Sequence, residues 1–221
     1  MVRLRTELTI AQEDYLKALY HLGGVEGPVA TSRLADRLAV SPASVTEMLG
    51  KLAAMKLISY DRYHGAALTE KGEAAALEMI RHHRLVEMFL VEKLGYAWDE
   101  VHDEAEQLEH VISERMEQRI YDVLGRPDLD PHGDPIPSLA GEIAATHYRR
   151  LTETRPGEQL TVRRVSDADA GKLRALEQLG LRLDAHLEVL DESEYEGPIT
   201  VQVGGRERQV PLGLAREVFV S

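Results

Sequence analysis

The chain has 221 residues, 43% of them hydrophobic, with no cysteine and a formal net charge of −12. That hydrophobic fraction supports real cores and argues against disorder, and the length suits one large domain or two to three small ones. The absence of cysteine excludes disulfides and thiolate metal ligands. The apolar runs fall far short of a membrane span and no signal-peptide pattern opens the chain, so cytoplasmic residence with no membrane partner is expected.

The charge is unevenly spread. Residues 1–72 carry 9 basic and 8 acidic side chains (+1), residues 73–150 carry 8 and 17 (−9), and residues 151–221 carry 9 and 13 (−4). An acidic total argues against a nucleic-acid binder, but the N-terminal third is free of that objection. The middle third repels phosphates and attracts cations.

Thr9-Ile10-Ala11-Gln12 reads as a capping box opening a helix with Tyr15, Leu16, Ala18, Leu19 and Leu22 at core spacing, stopped by Gly23-Gly24. A second helix starts near Thr31 and buries Leu34, Ala35 and Leu38. Ser41 is an N-cap and Pro42 suits the first helical position of a third helix, which buries Val45, Met48, Leu49 and Leu52. Leu57–Tyr63 and Ala66–Thr69 flank His64-Gly65 as a hairpin. Short helices, a tight turn and a hairpin follow the order of a winged helix-turn-helix; a small helical bundle with a hairpin is the alternative.

Glu70 to Leu94 reads as one long helix, broken by Gly95-Tyr96-Ala97-Trp98. Asp99 is expected to cap a second long helix reaching about Leu124. Pro127 to Pro137 reads as a loop, and Ser138 as the cap of a short helix to about Leu151. From Pro156 the texture changes to short alternating segments at Gln159–Val165, Leu187–Leu190, Ile199–Val203, Arg208–Pro211 and Glu217–Val220. A helix over Asp169–Leu179 is closed by Gly180. This is a small β-rich domain of barrel type. The fold class expected is mainly α with a small β domain.

On the third helix, Ser41, Pro42, Ala43 and Ser44 occupy the end that a recognition helix presents to base edges. Ser44, Glu47 and Lys51 share the face opposite the apolar positions, with Thr46 beside them. Hydroxyls bond bases or phosphates, and Glu accepts from cytosine N4. Arg62 and His64 on the wing, with Arg33 and Arg37, are candidate phosphate contacts. Capping alone explains Ser41, and a carboxylate such as Glu47 is repelled by DNA unless it reads a base.

The most informative stretch is Val101 to His110. On a helix, His102, Glu106, Glu109 and His110 fall at i, i+4, i+7 and i+8, within an arc of about 100°. The apolar stripe of Val101, Ala105, Leu108, Ile112 and Met116 lies beside that arc, so these groups sit at the edge of a buried face. Half-buried acids need a partner or a cation. His83 and Glu87 repeat the i, i+4 pairing on the preceding helix. Any one of these residues is compatible with a solvated charged face; the set points to a metal, and oxygen-rich ligation with imidazole suits Mn²⁺ or Fe²⁺. No His-Glu-x-x-His, Glu-x-x-His, phosphate-cradling Gly loop or G-x-S-x-G elbow is present, so an enzyme is not expected.

Several blocks together resemble the diphtheria toxin repressor family of metal-dependent regulators, over essentially the whole chain. They are Tyr15-Leu16, Ser41-Pro42-Ala43-Ser44-Val45-Thr46, Leu68-Thr69-Glu70-Lys71-Gly72, His83-Arg84-Leu85-Val86-Glu87, Val101-His102-Asp103-Glu104-Ala105, Glu109-His110-Val111 and Pro131-His132-Gly133-Asp134-Pro135-Ile136-Pro137. The resemblance implies a homodimer that binds a palindromic double-stranded operator when loaded with metal. It implies one site at Asp14, Glu106, Glu109 and His110 and an ancillary site at His83, Glu87 and His102. Further ligands from an SH3-like end domain have Asp167 and Asp169 as the nearest candidates.

Iron-type members carry Met and Cys at the positions of Asp14 and Glu106. The carboxylates here match manganese-type members, although many of those have a further Glu at the position of Lys17 and lack the SH3-like domain. Mn²⁺ is therefore the expected cofactor, with Fe²⁺ the alternative. The expected organisation is a winged helix-turn-helix over 1–72, a helical metal-binding and dimerisation domain over 73–151 and an SH3-like (FeoA-type) domain over 156–221. The expected function is a metal-dependent repressor; a metal storage or delivery protein and a repressor without metal are the competing readings.

Overall fold

The computed structural model describes residues 8–167, 169–192 and 197–221. They form two compact units. One comprises the chain up to His82 with Pro137–Glu142; the other comprises His83–Ile136 with Ile143–Ser221.

The first unit opens with α1 (Ile10–His21), whose cap is reciprocal: Thr9 Oγ1 accepts from Gln12 N and the Gln12 side chain accepts from Thr9 N. α2 (Thr31–Leu38) and α3 (Pro42–Ala54) follow, and Ser41 Oγ accepts from Ser44 N to start α3. β1 (Ile58–Asp61) and β2 (Gly65–Leu68) pair antiparallel, and Val29 bridges to Ala66 as a third short element. Gly65 has φ +104, and a Cβ there would overlap the Val29 carbonyl, so only glycine lets the hairpin approach that closely. Leu16, Leu19, Leu34, Val45, Leu49, Leu52 and Leu57 are fully buried and tie the three helices to the hairpin. This is the winged helix-turn-helix expected from the pattern.

α4 (Glu70–Phe89) runs from the first unit into the second and ends in a π-helical turn, Leu90–Leu94, closed by Gly95 in the left-handed region. The helix expected from Asp99 to Leu124 is two helices instead: α5 (Val101–Leu108) and α6 (Glu114–Val123). Ser113 caps α6 by accepting from Met116 N, and this local bond competes with continuation of α5. Asp99 is not a cap; its carboxylate pairs with Arg174 at 3.0 Å.

The short helix expected after Ser138 is also absent. Ser138 Oγ accepts from Ala140 N and Glu142 N, Ser138 N donates to Glu142 O, and Gly141 takes φ +78, which together close a loop.

The remainder of the second unit is a six-stranded antiparallel sheet in the order β3-β8-β4-β5-β6-β7. Its strands are β3 (Arg149–Arg150), β4 (Gln159–Val165), β5 (His186–Glu192), β6 (Ile199–Val203), β7 (Arg206–Val210) and β8 (Val218–Val220). Alternate side chains of β6 and β8, and Leu160, Val162 and Val165 of β4 across a register shift after Val162, enter a valine-rich core, closed by Leu173 and Leu176 of α7 (Ala170–Leu179), with α8 (Leu212–Ala215) before β8. The helix expected over Asp169–Leu179 starts one residue later, with Asp169 as its cap, and Gly180 ends it in the left-handed region as the sequence suggests.

Within this unit the sheet is fastened to the helical part. Val165 N donates to His132 O at 2.9 Å, Arg164 pairs with Asp134 at 2.8 Å, and Trp98 Nε1 donates to Glu177 at 3.2 Å. Gly133, at φ +89, lies so close to β4 that a Cβ would overlap the Arg163 carbonyl.

Candidate metal centre and DNA-reading face

His83 and Glu87 lie one turn apart on α4, as the i, i+4 spacing requires. His83 Nε2 is 3.0 Å from Glu87 Oε1 and 3.2 Å from His102 Nδ1, while His83 Nδ1 is 2.5 Å from Glu109 Oε2. Glu106 reaches the same ring at 4.0 Å, and His110 Nε2 lies 3.5 Å from Glu109. The break after Leu108 places Glu109 at the α5 C-cap with its side chain fully buried. Burial alone would depress the His83 ring, but Glu87 and Glu109 outweigh it and lift its pKa to about 10. Burial would raise the Glu87 carboxyl, yet the adjacent imidazoles hold it well below the usual carboxylate range. The His102 pKa is raised, chiefly by its bond to Glu87.

Three residues join this cluster that the helical periodicity did not assign. Asp167, at the end of β4, places Oδ2 3.9 Å from His102 Nδ1. Asp130 and His132 come from the proline-bounded loop and are both buried. Asp130 Oδ1 accepts from the backbone of His132 and Asp134, and burial pushes its pKa up to about 7. Arg84 steadies the loop by donating to Pro135 O at 2.5 Å and approaching Asp130 at 3.5 Å.

His132 Nε2 is 2.8 Å from the Trp98 carbonyl, an acceptor, so Nε2 carries the proton. In a neutral ring Nδ1 is then a lone pair, and it points toward Glu87 Oε2 at 3.9 Å. Neither atom has a hydrogen-bond partner, and both side chains are fully covered. Two unpaired acceptors facing each other in a buried space are costly unless a proton or a cation lies between them. Glu87, Asp130 and His132 bring ligand atoms within 4.8 Å of one another, as do His83, Glu87, His102 and Asp167, and His83, Glu106 and Glu109. The donors are oxygen and imidazole nitrogen, with no sulfur, a set that suits manganese, iron or zinc. Asp14 is half-buried on α1 in the first unit, and Asp169 is occupied as the α7 cap.

On the first unit, Ser41, Pro42, Ser44, Thr46, Glu47 and Lys51 are all exposed along α3, and Arg33, Arg37, Arg62 and His64 are exposed on α2 and the wing. Thr46 Oγ1 donates to Pro42 O, and Ser41 and Ser44 hydroxyls bond each other. Lys51 Nζ is 2.7 Å from Glu47 Oε1. Asp61 Oδ1 accepts from Tyr63 N and His64 N and lies 2.7 Å from His64 Nδ1, which fixes the wing tip.

Three domain families match successive stretches of the chain. They are the iron dependent repressor N-terminal DNA binding domain over residues 7–66, the iron dependent repressor metal binding and dimerisation domain over 69–138, and the FeoA domain over 149–221. The iron-dependent repressor IdeR of Mycobacterium tuberculosis is 32% identical, over 97% of this chain and 98% of its own. The chain belongs to the iron-dependent repressor family. The diphtheria toxin repressor of Corynebacterium efficiens is 30% identical over 97% of this chain and 96% of its own. Among solved structures of this family, a manganese-dependent transcriptional repressor in complex with manganese superposes with a TM-score of 0.88 at 42% identity. It spans 95% of this chain and 99% of that one. The repressor ScaR with bound Zn²⁺ gives 0.80 at 34% identity, over 95% and 98%.

The family is one of iron- or manganese-dependent transcriptional repressors with DNA-binding and dimerisation domains, not of enzymes. Among the described residues, no helix is long and apolar enough to cross a membrane.

Proposed function

We propose that this chain acts in the cytoplasm as a homodimeric repressor that binds a palindromic operator when loaded with Mn²⁺, Fe²⁺ being the competing ion. The observation that carries the proposal is the buried, unpaired acceptor couple Glu87 Oε2 and His132 Nδ1. Glu87, Asp130 and His132 are the residues that would hold an ion there, and Glu87 with His83, His102 and Asp167 forms a neighbouring group of the same kind. Asp14, Glu106, Glu109 and His110 are those the family resemblance assigns to a second one. When bound, a divalent ion supplies the positive charge these carboxylates lack.

The preference for manganese rests on the sulfur-free donor set and on the manganese-complexed relative, which shares 42% identity against 32% for the relative named for iron. Functionally the chain divides at 1–72, 73–151 and 156–221. Arg33, Ser41, Pro42, Ser44, Thr46, Glu47, Lys51 and Arg62 face DNA. Asp14 belongs to the DNA-binding domain and its co-ligands to the dimerisation domain. A shared ligand set favours whichever arrangement completes it, so metal concentration sets the population of the binding-competent state.

The test is a titration of operator binding with Mn²⁺, Fe²⁺ and Zn²⁺ for the wild type, Asp14→Ala and Glu106→Ala. Metal-dependent retention is expected in the wild type and lost in both variants. Unchanged Mn²⁺-dependent binding in both would remove the coupling mechanism.

A further inference from the structure

α3 carries two features that its packing does not explain. The first is the Glu47–Lys51 pair, whose side chains are 72% and 56% exposed and lie 2.7 Å apart. The Lys51 contact lowers the Glu47 pKa, so the carboxylate is ionised. The second is Gly50, in the middle of the same helix, where an added Cβ would meet nothing within 4 Å. Glycine weakens a helix interior relative to alanine, and here folding gains no packing in return. Ala43, Glu47, Gly50, Lys51 and Ala54 recur at i, i+4, i+7, i+8 and i+11, all exposed. They form one smooth strip with a single charged couple in it. The hydroxyls at the helix start are engaged with one another or with the backbone, so Glu47 and Lys51 are the chief polar groups that the strip offers to base edges.

Resting on the repressor reading above, we infer that Glu47 and Lys51 together read one G·C base pair in the major groove, with Glu47 accepting from cytosine N4 and Lys51 donating to guanine O6 and N7. The match is one of adjacent signs. The protein couple presents a donor and an acceptor 2.7 Å apart. The G·C edge presents guanine O6 and cytosine N4, themselves joined by a hydrogen bond of about 2.9 Å. Swinging from each other onto the base pair, both charges exchange one partner for another and neither is left bare.

An A·T pair fits less well. Its N6 donor sits between the acceptors N7 and O4, so a carboxylate aimed at N6 meets a lone pair on each side. The ion pair also answers the objection that a carboxylate on a recognition helix is repelled by DNA. Lys51 cancels its charge at long range, while at contact the acceptor discriminates. Gly50 and Ala54 leave room for the helix to sit close to the groove floor.

The experiment is selection from a randomised duplex library with the Mn²⁺-loaded full chain, comparing wild type, Glu47→Gln and Glu47→Ala. Circular dichroism of each variant checks that these exposed substitutions leave the fold intact. The wild type is expected to fix a G·C pair at one position of each half-site. Glu47→Gln should move that position toward adenine, which glutamine bonds through N6 and N7, and Glu47→Ala should lose the preference by about tenfold or more, with the other positions unchanged. Both should bind unrelated duplex DNA more tightly than the wild type, because a negative charge has gone from the interface. Identical base preferences in all three proteins, or a wild-type half-site without a fixed G·C pair, would overturn the inference while leaving the repressor reading standing. No recovered DNA with Mn²⁺ or Fe²⁺ would overturn the repressor reading itself.

Discussion

Glu87→Gln isolates the buried centre from any effect on DNA. The substitution keeps the shape and removes the charge of a side chain that is fully buried and lies 3.0 Å from His83, 3.5 Å from His102 and 3.9 Å from His132. In the metal-free protein two changes oppose each other. A carboxylate no longer has to be desolvated, and the His83 imidazolium loses one of its two close partners while keeping Glu109 at 2.5 Å. Breaking a buried pair outright costs about 3–5 kcal/mol, so with one partner retained the metal-free loss should stay below that.

The informative quantity is the gain on adding Mn²⁺. At a free concentration 100 times the dissociation constant, one site stabilises the wild type by about 2.7 kcal/mol. A hundredfold weaker site at the same concentration gives only about 0.4 kcal/mol, so the metal-induced gain should shrink by about 2.3 kcal/mol. Urea unfolding with and without Mn²⁺, in the absence of DNA, measures this. An equal gain in wild type and Glu87→Gln would show that the unpaired acceptors are not where the ion binds.

Three further outcomes are expected. Gly50→Ala should raise stability by about 1 kcal/mol while weakening operator binding, and a variant that gains stability with unchanged affinity would show that the strip does not approach DNA. Gly133→Ala should destabilise the second unit and lower Mn²⁺ affinity together, because φ +89 and the Arg163 carbonyl both exclude a side chain; an undisturbed melting curve would refute this. In the metal-free protein His83 is held at about 10 against 6.5 for a free imidazole. Its stabilising contribution is thus fully present below pH 6.5 and is lost as pH rises through about 10. Mn²⁺ binding near pH 8 must then release this proton, which calorimetry in buffers of different ionisation enthalpy detects; a buffer-independent enthalpy would contradict it.

What could be read from the residues follows the range of the forces involved. Thr9 and Ser41 announce their helices because a cap is settled within three residues. β4 and β6 match their expected limits because alternation is a strong local signal in a sheet with one buried face. The break after Leu108 was hidden: Glu109 and His110 continue a helical period, and Ser113 is as easily a surface serine as a cap.

The same limit applies to the metal centre. His83, Glu87, His102 and Glu106 stand at helical spacing and were visible. Asp130 and His132 lie in a loop without periodicity, and their role depends on a carboxylate far upstream and on a carbonyl of Trp98. Asp167 reaches His102 only because β4 is pinned to the loop through Val165 and Gly133. The sequence offers two hints: an aspartate and a histidine set among prolines in a block that carries the family resemblance, and Asp167 as a candidate that the same resemblance supplies.

The Glu47–Lys51 couple also bears on how such a protein searches a chromosome. Residues 1–72 carry a net charge of only +1, and the reading strip is neutral as a whole. Attraction to random sequence is mainly a matter of counterions displaced by surplus cations, so it should be weak and only slightly steeper in salt than for an uncharged surface. Little of the protein would then be sequestered on irrelevant DNA, and operator occupancy would track the intracellular ion level rather than the amount of genome competing for the repressor.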